Sequence, residues 1–254
     1  MIVLKSKAEV AKIAAAGAIV ADCLDMLAAA VEPGVKTNRL DRLAEAFVRD
    51  RGGEPTFLGY RGFPASICAS PNDVVVHGIP GVHAVREGDI LSIDAGVTLD
   101  GYVADSALTV AVGAIDAQAR RLMDVTQASL EAAIGQCRVG HRLGDVSHAV
   151  QMVVEKAGFS VVRSLVGHGV GREMHEDPQI PNFGEAGRGP RLEEGMVFAL
   201  EPMVNVGGWD VFVADDGWTI HTSDSSLSAH FEHTVAVSEA GPQVLTRRRS
   251  EKAA

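Results

Sequence analysis

From Lys7 to Val31 the chain is alanine-rich with apolar residues at helical spacing, and the pattern stops at Glu32-Pro33-Gly34. That predicts a long N-terminal helix. A second helix is expected from a cap at Thr37 or Asn38, with Leu40, Leu43, Ala44, Phe47 and Val48 on its apolar face and Gly52-Gly53 closing it. The period then changes. Strand-like runs cover Val74 to Ile79 (VVVHGI) and Asp89 to Val97 (DILSIDAGV), and Asp100-Gly101 marks a two-residue hairpin turn into YVADSALTVAV. Helical periodicity returns near Ala117 to Gln136 and Leu143 to Ala157, and strands are expected from Phe159 onward.

The second series repeats the first. GVKTNRLDRLAEAFVRDRG, from Gly34, lies over GHRLGDVSHAVQMVVEKAG, from Gly140, without a gap, so that Leu40, Ala44 and Val48 fall on Val146, Val150 and Val154. EGDILSIDAGV, from Glu87, lies over EGMVFALEPMV, from Glu194, and puts Asp94 on Glu201. One domain of two similar halves is expected, strands surrounded by helices, with no linker between them.

Composition narrows the class without naming a function. The 254 residues are 46% hydrophobic and 22% charged, with a net charge of −10, so bulk electrostatics argue against a nucleic-acid binder. The basic run TRRRSEK near the C-terminus reads as a frayed, solvated tail. Cys23, Cys68 and Cys137 are odd in number and far apart, as reduced thiols in a cytoplasmic protein would be. No apolar run reaches the ~20 residues of a membrane span. IAAAGAIVA (Ile13 to Ala21) looks like the apolar part of a signal peptide, but Glu9 interrupts the basic residues before it and ADCLDMLAAAV continues in helical style, so a packed helix is expected.

Against this background, acids stand where apolar residues belong. Asp94 lies in ILSIDAGV, Glu201 in VFALEPMV and Glu232 in HFEHTVAV; an unpaired acid inside an apolar strand must neutralise, pair or bind a metal. If Asp100-Gly101 is the turn, residue 96 faces 105 and 94 faces 107. Asp94 and Asp105 then share a sheet face as diagonal neighbours, Cα atoms about 7–8 Å apart. No lysine or arginine lies between Arg86 and Arg120 to separate their charges. His168, in VGHGVGREMHEDP, completes a set of two Asp, two Glu and one His. Read singly, each is as well explained as a surface acid or a hydrogen-bonded core histidine. As a set they suit hard or borderline divalent ions such as Mn, Fe(II), Co or Zn, and bridging carboxylates can hold two ions about 3.5–4 Å apart. The glycines beside His168 lack the order of a phosphate loop, and His175-Glu176 lacks the second histidine of a HExxH helix.

VVVHGIP, DILSIDAG, GYVADS, VGHGVGREMHEDP, FALEPMV and HFEHTVAV together resemble the methionine aminopeptidases, from about Lys7 to Leu245. The resemblance implies an α+β pita-bread fold, two pseudo-symmetric halves (about 7–112 and 113–246) around a central curved antiparallel sheet covered by helices, in one domain over 1–246 before a tail at 247–254. It implies Asp94, Asp105, His168, Glu201 and Glu232 as ligands of two divalent ions, Asp105 and Glu232 bridging, with Glu201 also handling the proton. His77 and His175 would contact substrate rather than metal, with a glycine-loosened bend letting His168 and His175 face different targets. Tyr60, Phe63, Cys68 and Trp218 map to the side-chain pocket, with Phe57 and Met174 nearby; Phe57, Phe63 and Met174 depart from the commonest bacterial pattern.

Removal of N-terminal methionine from peptides and nascent polypeptides, with a small second residue preferred, is the implied activity. Only thirty residues separate Glu201 from Glu232, which leaves no room for the helical insert of the family's second type. With no long N-terminal extension, the short bacterial first type is expected, and a proline-directed aminopeptidase of the same fold is disfavoured. The rival from another class is a non-catalytic pita-bread module that binds peptides. A monomer is expected, with transient ribosome contact left open and no membrane or specific nucleic acid as partner.

Overall fold

The computed structural model describes residues 1–252. The helices are α1 (Lys7–Ala30), α2 (Thr37–Asp50), α3 (Ala117–Gln136), α4 (Leu143–Lys156) and a short α5 (Arg249–Lys252). The strands are β1 (Glu54–Pro55), β2 (Cys68–Pro71), β3 (Val74–Val76), β4 (Ile90–Leu99), β5 (Tyr102–Ala111), β6 (Ser160–Val161), β7 (Val166–Gly169) and β8 (Glu176–Pro181), then β9 (Val197–Leu200), β10 (Met203–Asn205), β11 (Val211–Val213), β12 (Ile220–Thr222), β13 (Ser228–His230), β14 (Glu232–Ala236) and β15 (Gln243–Val244).

The main antiparallel sheet runs β1-β4-β5-β14-β9-β7-β8, with β2 also on β4 and β15 on β14. Its centre is the seam between β5 and β14, where the first series of elements meets the second. Two three-stranded sheets, β13-β10-β6 and β11-β12-β3, flank it. The predicted hairpin has the predicted register: Leu99 faces Tyr102, Gly96 faces Asp105 and Asp94 faces Ala107.

The repeat seen in the side chains is also a repeat of backbone hydrogen bonds. Gly34 N–H donates to Val85 O at 2.7 Å, and Gly140 N–H donates to Leu192 O at 2.9 Å. Asn38 N–H to Gly81 O is matched by Gly144 N–H to Arg188 O, both 2.9 Å. Gly88 N–H to Val112 O, 3.0 Å, is matched by Gly195 N–H to Val237 O, 3.1 Å.

By length and composition α1 would also pass for a membrane span, with a mean hydropathy of 1.8 over its best window, contrary to the count of apolar runs above. It packs on β4 and β5 instead, burying Ile13, Val20, Leu24 and Leu27 in the main core. Ser6 and Glu9 form the capping box that starts it.

Three local expectations fail for physical reasons. Neither Thr37 nor Asn38 caps α2; the cap position is Lys36, without a side-chain bond, and the Thr37 hydroxyl instead accepts from Gly81 N–H at 2.9 Å. The strand expected over Val74 to Ile79 ends at Val76, because His77 turns into the left-handed region at φ 60°. The C-terminal run is not frayed: Arg247 pairs with Glu131, Arg249 with Asp22, and the buried Arg248 with Glu251 and Asp25. Each of the three arginines found an acid on α1, α3 or its own turn. Ala253 and Ala254, the end of the expected tail, lie outside the described residues.

Candidate active site

All eleven candidate residues line one cleft of about 290 Å³: Asp94, Asp105, His168, Glu201 and Glu232 on its floor, His77 and His175 beside them, and Tyr60, Phe63, Cys68 and Trp218 on the wall. Different elements deliver them. Asp94 and Asp105 come from paired β4 and β5, Glu232 from β14, His168 from β7, and Glu201 from the position directly after β9. Ligand atoms of Asp105, His168 and Glu232 lie within 4.8 Å of one another. Asp94 and Glu201 stand outside that trio, with Glu201 Oε1 3.5 Å from His168 Nε2.

Gly167 and Gly169, on either side of His168, serve close approach, and the chain then bends from Gly171 to His175 before β8. β7 lies between β9 and β8, its register against β8 shifting between His168 and Gly169, and a Cβ on Gly167 would stand 2.4 Å from the Ala199 carbonyl oxygen. One on Gly169 would stand 2.2 Å from the Asp177 carbonyl oxygen. His168 Nδ1 lies 2.9 Å from the Gly169 carbonyl. A carbonyl only accepts, so Nδ1 carries the proton and the lone pair on Nε2 faces the carboxylates. That is the arrangement a metal-ligating imidazole needs.

The four acids lie in poor surroundings for negative charge. Burial pushes Asp94 up to about 7. Burial also holds Asp105 well above the carboxylate range, helped by the charges of Glu232 and Asp94. Glu201 and Glu232 are raised in the same way, by burial first and then by their acidic neighbours. Among the described residues lining the cleft, Arg61 at the exposed mouth is the only lysine or arginine. Asp94 Oδ1, Asp105 Oδ1 and Glu232 Oε1 are buried without a hydrogen-bond partner. Orphaned carboxylate oxygens around an imidazole lone pair fit a divalent-metal site and fit little else.

A consequence follows for the metal-free protein. A carboxyl whose folded pKa is raised contributes stability that is fully present below its unfolded pKa and is lost as pH rises through the folded value. Here that window opens just above the ordinary carboxylate range and includes the value of about 7 for Asp94. The melting temperature in chelator should therefore fall between about pH 5 and about pH 8. Added Mn(II) should recover most of the loss at the upper end. A flat or rising profile in chelator would contradict this account of the floor.

His77 owes its aim to the left-handed turn, which costs a non-glycine residue on the order of 1–3 kcal/mol. Its ring lies edge-on to Trp218 at 6.3 Å, and Trp218 in turn meets Phe63 edge-to-face at 5.1 Å. His175 sits in the turn before β8, its Nδ1 2.8 Å from the Tyr60 hydroxyl and its ring stacked on Tyr60 at 5.4 Å. Burial of its packed side, then repulsion from His168, Arg61 and His77, lowers His175 to about 4, so the ring is neutral at neutral pH. Phe57 and Met174 are buried in the same wall, which is apolar enough for a thioether. Cys68 faces Asp94 across the β2–β4 pairing. Burial and then the charges of Asp94, Asp105 and Glu232 hold its thiol well above its ordinary value, so it stays protonated. Arg61, Val76, Leu165 and Met203 also line the cleft and carry no sequence signal beyond apolar filling, except Arg61, which sits between Gly59 and Gly62 in a turn of left-handed residues.

The sequence profile of Metallopeptidase family M24 matches residues 11–239. The chain is 49% identical over 246 residues to the methionine aminopeptidase of Clostridium perfringens, covering 97% of this chain and 99% of that protein. It is 48% identical to methionine aminopeptidase 1 of Bacillus subtilis, over 97% of this chain and all of that one (100%). The crystal structure of methionine aminopeptidase from Rickettsia prowazekii superposes with a TM-score of 0.96 at 42% identity, covering 97% of this chain and 100% of that one.

Proposed function

The chain belongs to metallopeptidase family M24, and from that premise and the cleft we infer that it is a metal-dependent aminopeptidase that removes the N-terminal methionine from peptides and proteins. The observation that carries the reading is the cluster of four carboxylates and one imidazole lone pair, with three buried oxygens lacking partners. Near-full-length relatives with that activity favour it over a non-catalytic peptide-binding module or a proline-directed enzyme of the same fold.

In this reading Asp94, Asp105, His168, Glu201 and Glu232 would together hold two divalent ions; Mn, Fe(II), Co and Zn all suit the donors. When bound, such ions supply Lewis acidity, bringing the pKa of water toward neutrality and polarising the scissile carbonyl. The protein's own residues do the rest. The apolar wall of Tyr60, Phe63, Cys68 and Trp218 takes the methionine side chain and excludes bulk water. His77 contacts the backbone of the second residue. His175 donates to the scissile carbonyl oxygen as negative charge develops there, which is possible because the ring is neutral and Tyr60 occupies its Nδ1. Glu201, whose Oε1 lies 3.5 Å from His168 Nε2 at the edge of the acid cluster, takes the proton of the attacking water and returns it to the leaving amine.

The preference for a small second residue, action on nascent chains in the cytoplasm, a monomeric state and any passing contact with the ribosome belong to the same proposal. Incubating the metal-free protein with Met-Gly-Met or Met-Ala-Ser, alone and with Co(II) or Mn(II), should give free methionine only with metal. Peptide binding with no methionine released under any divalent metal would favour the binding module.

A further inference from the structure

Asp105 and Glu232 come from the two strands of the central seam, and their carboxylates belong to the close trio with His168. Two buried acids without a cation between them repel, so something must fix their separation. Strand pairing alone does little of this: the register between β5 and β14 covers only Glu232 with Ala107 and His233 with Ser106. Where the ladder stops, side-chain hydroxyls take over.

Thr234 Oγ1 accepts from the Asp105 N–H at 3.0 Å and donates to the Asp105 carbonyl at 2.7 Å. In the opposite sense, Ser106 Oγ donates to the Glu232 carbonyl at 2.6 Å. Thr234 follows Glu232 by two residues and Ser106 follows Asp105 by one, so each acid's backbone is held by a hydroxyl that neighbours the other acid. Both hydroxyl residues are 0% exposed. Thr234 is itself anchored, its N–H donating to Thr246 Oγ1 at 3.1 Å and its carbonyl accepting from Leu245 N–H at 2.8 Å.

We propose that Ser106 and Thr234 form a crossed hydroxyl clasp that sets the spacing of Asp105 and Glu232 before metal arrives, making them positioning residues for metal affinity. The proposal rests on the reading of Asp105 and Glu232 as ligands. Hydroxyls that merely satisfied the backbone would matter equally with and without metal. A clasp matters more with it, because the gain on metal binding depends on carboxylates already held in place.

The experiment titrates Mn(II) into metal-free wild type, Thr234→Val, Thr234→Ser and Ser106→Ala by calorimetry, with melting temperatures recorded with and without Mn(II). Thr234→Val should bind about 10–100-fold more weakly, the usual cost of removing support behind a ligand, and its Mn(II)-induced rise in melting temperature should shrink accordingly. Ser106→Ala should weaken binding in the same direction and carries the test alone if Thr234→Val does not fold. Thr234→Ser keeps the hydroxyl and should restore affinity, even where loss of the methyl lowers the melting temperature. Variants that melt earlier but bind Mn(II) indistinguishably from wild type would overturn the clasp and leave the ligand reading intact. A wild type that binds no Mn(II) would overturn the ligand reading itself.

Discussion

Asp105→Asn should lower kcat/KM on Met-Ala-Ser at least ~1,000-fold, about 4 kcal/mol of transition-state stabilisation, while raising the melting temperature of the metal-free protein. The two effects share one cause. Asp105 is 3% exposed, its pKa is raised by burial and by the charges of Glu232 and Asp94, and one of its oxygens has no partner. Asparagine keeps the shape and removes one negative charge from a cluster that cannot solvate it. Without metal that relieves repulsion; with metal it would remove a proposed ligand oxygen. A residue kept for packing would lower stability and activity together. The check pairs methionine release with calorimetry in chelator at about pH 8, where the carboxylates are most fully ionised and the relief is greatest. Near-normal activity, or a lower melting temperature in chelator, would contradict the role given to this residue.

His175→Ala should reduce kcat by about 100–1,000-fold, the range seen for loss of one donor to a developing oxyanion, with bound metal unchanged. His175 is held from the wall side, its Nδ1 taken by Tyr60 at 2.8 Å, while its ring centroid lies 4.3 Å from that of His168. If the Tyr60 hydroxyl is the donor to Nδ1, the proton sits on Nε2 and the ring can donate toward the cleft rather than act as a ligand. Metal content by elemental analysis beside steady-state kinetics separates the cases. Metal lost in proportion to activity would make His175 a ligand. A rise in KM alone would reduce it to a substrate contact.

Much of this was legible because it rests on local rules. The Asp100-Gly101 turn sets the β4–β5 register, and the register puts Asp94 and Asp105 on one face with no further information. Acids inside apolar runs announce themselves, since burying one without a partner is expensive. What escaped depends on contacts distant in sequence. The need for glycine at 167 and 169 comes from the Ala199 and Asp177 carbonyls, on strands the local sequence does not name. The left-handed turn at His77 breaks a run of β-branched residues that by themselves favour a longer strand. The arginines at 247 to 249 read as solvated because, apart from Glu251 beside Arg248, their acids Glu131, Asp22 and Asp25 lie more than a hundred residues upstream.

The seam between β5 and β14 has one more consequence. Cutting the chain in the loop between Val112 and Ala117 would leave Asp94 and Asp105 on one fragment and His168, Glu201 and Glu232 on the other. Neither piece would own a working centre, and catalysis would return only when the two found each other. The molecule thus carries within it the logic of a split reporter, in which turnover measures reassociation.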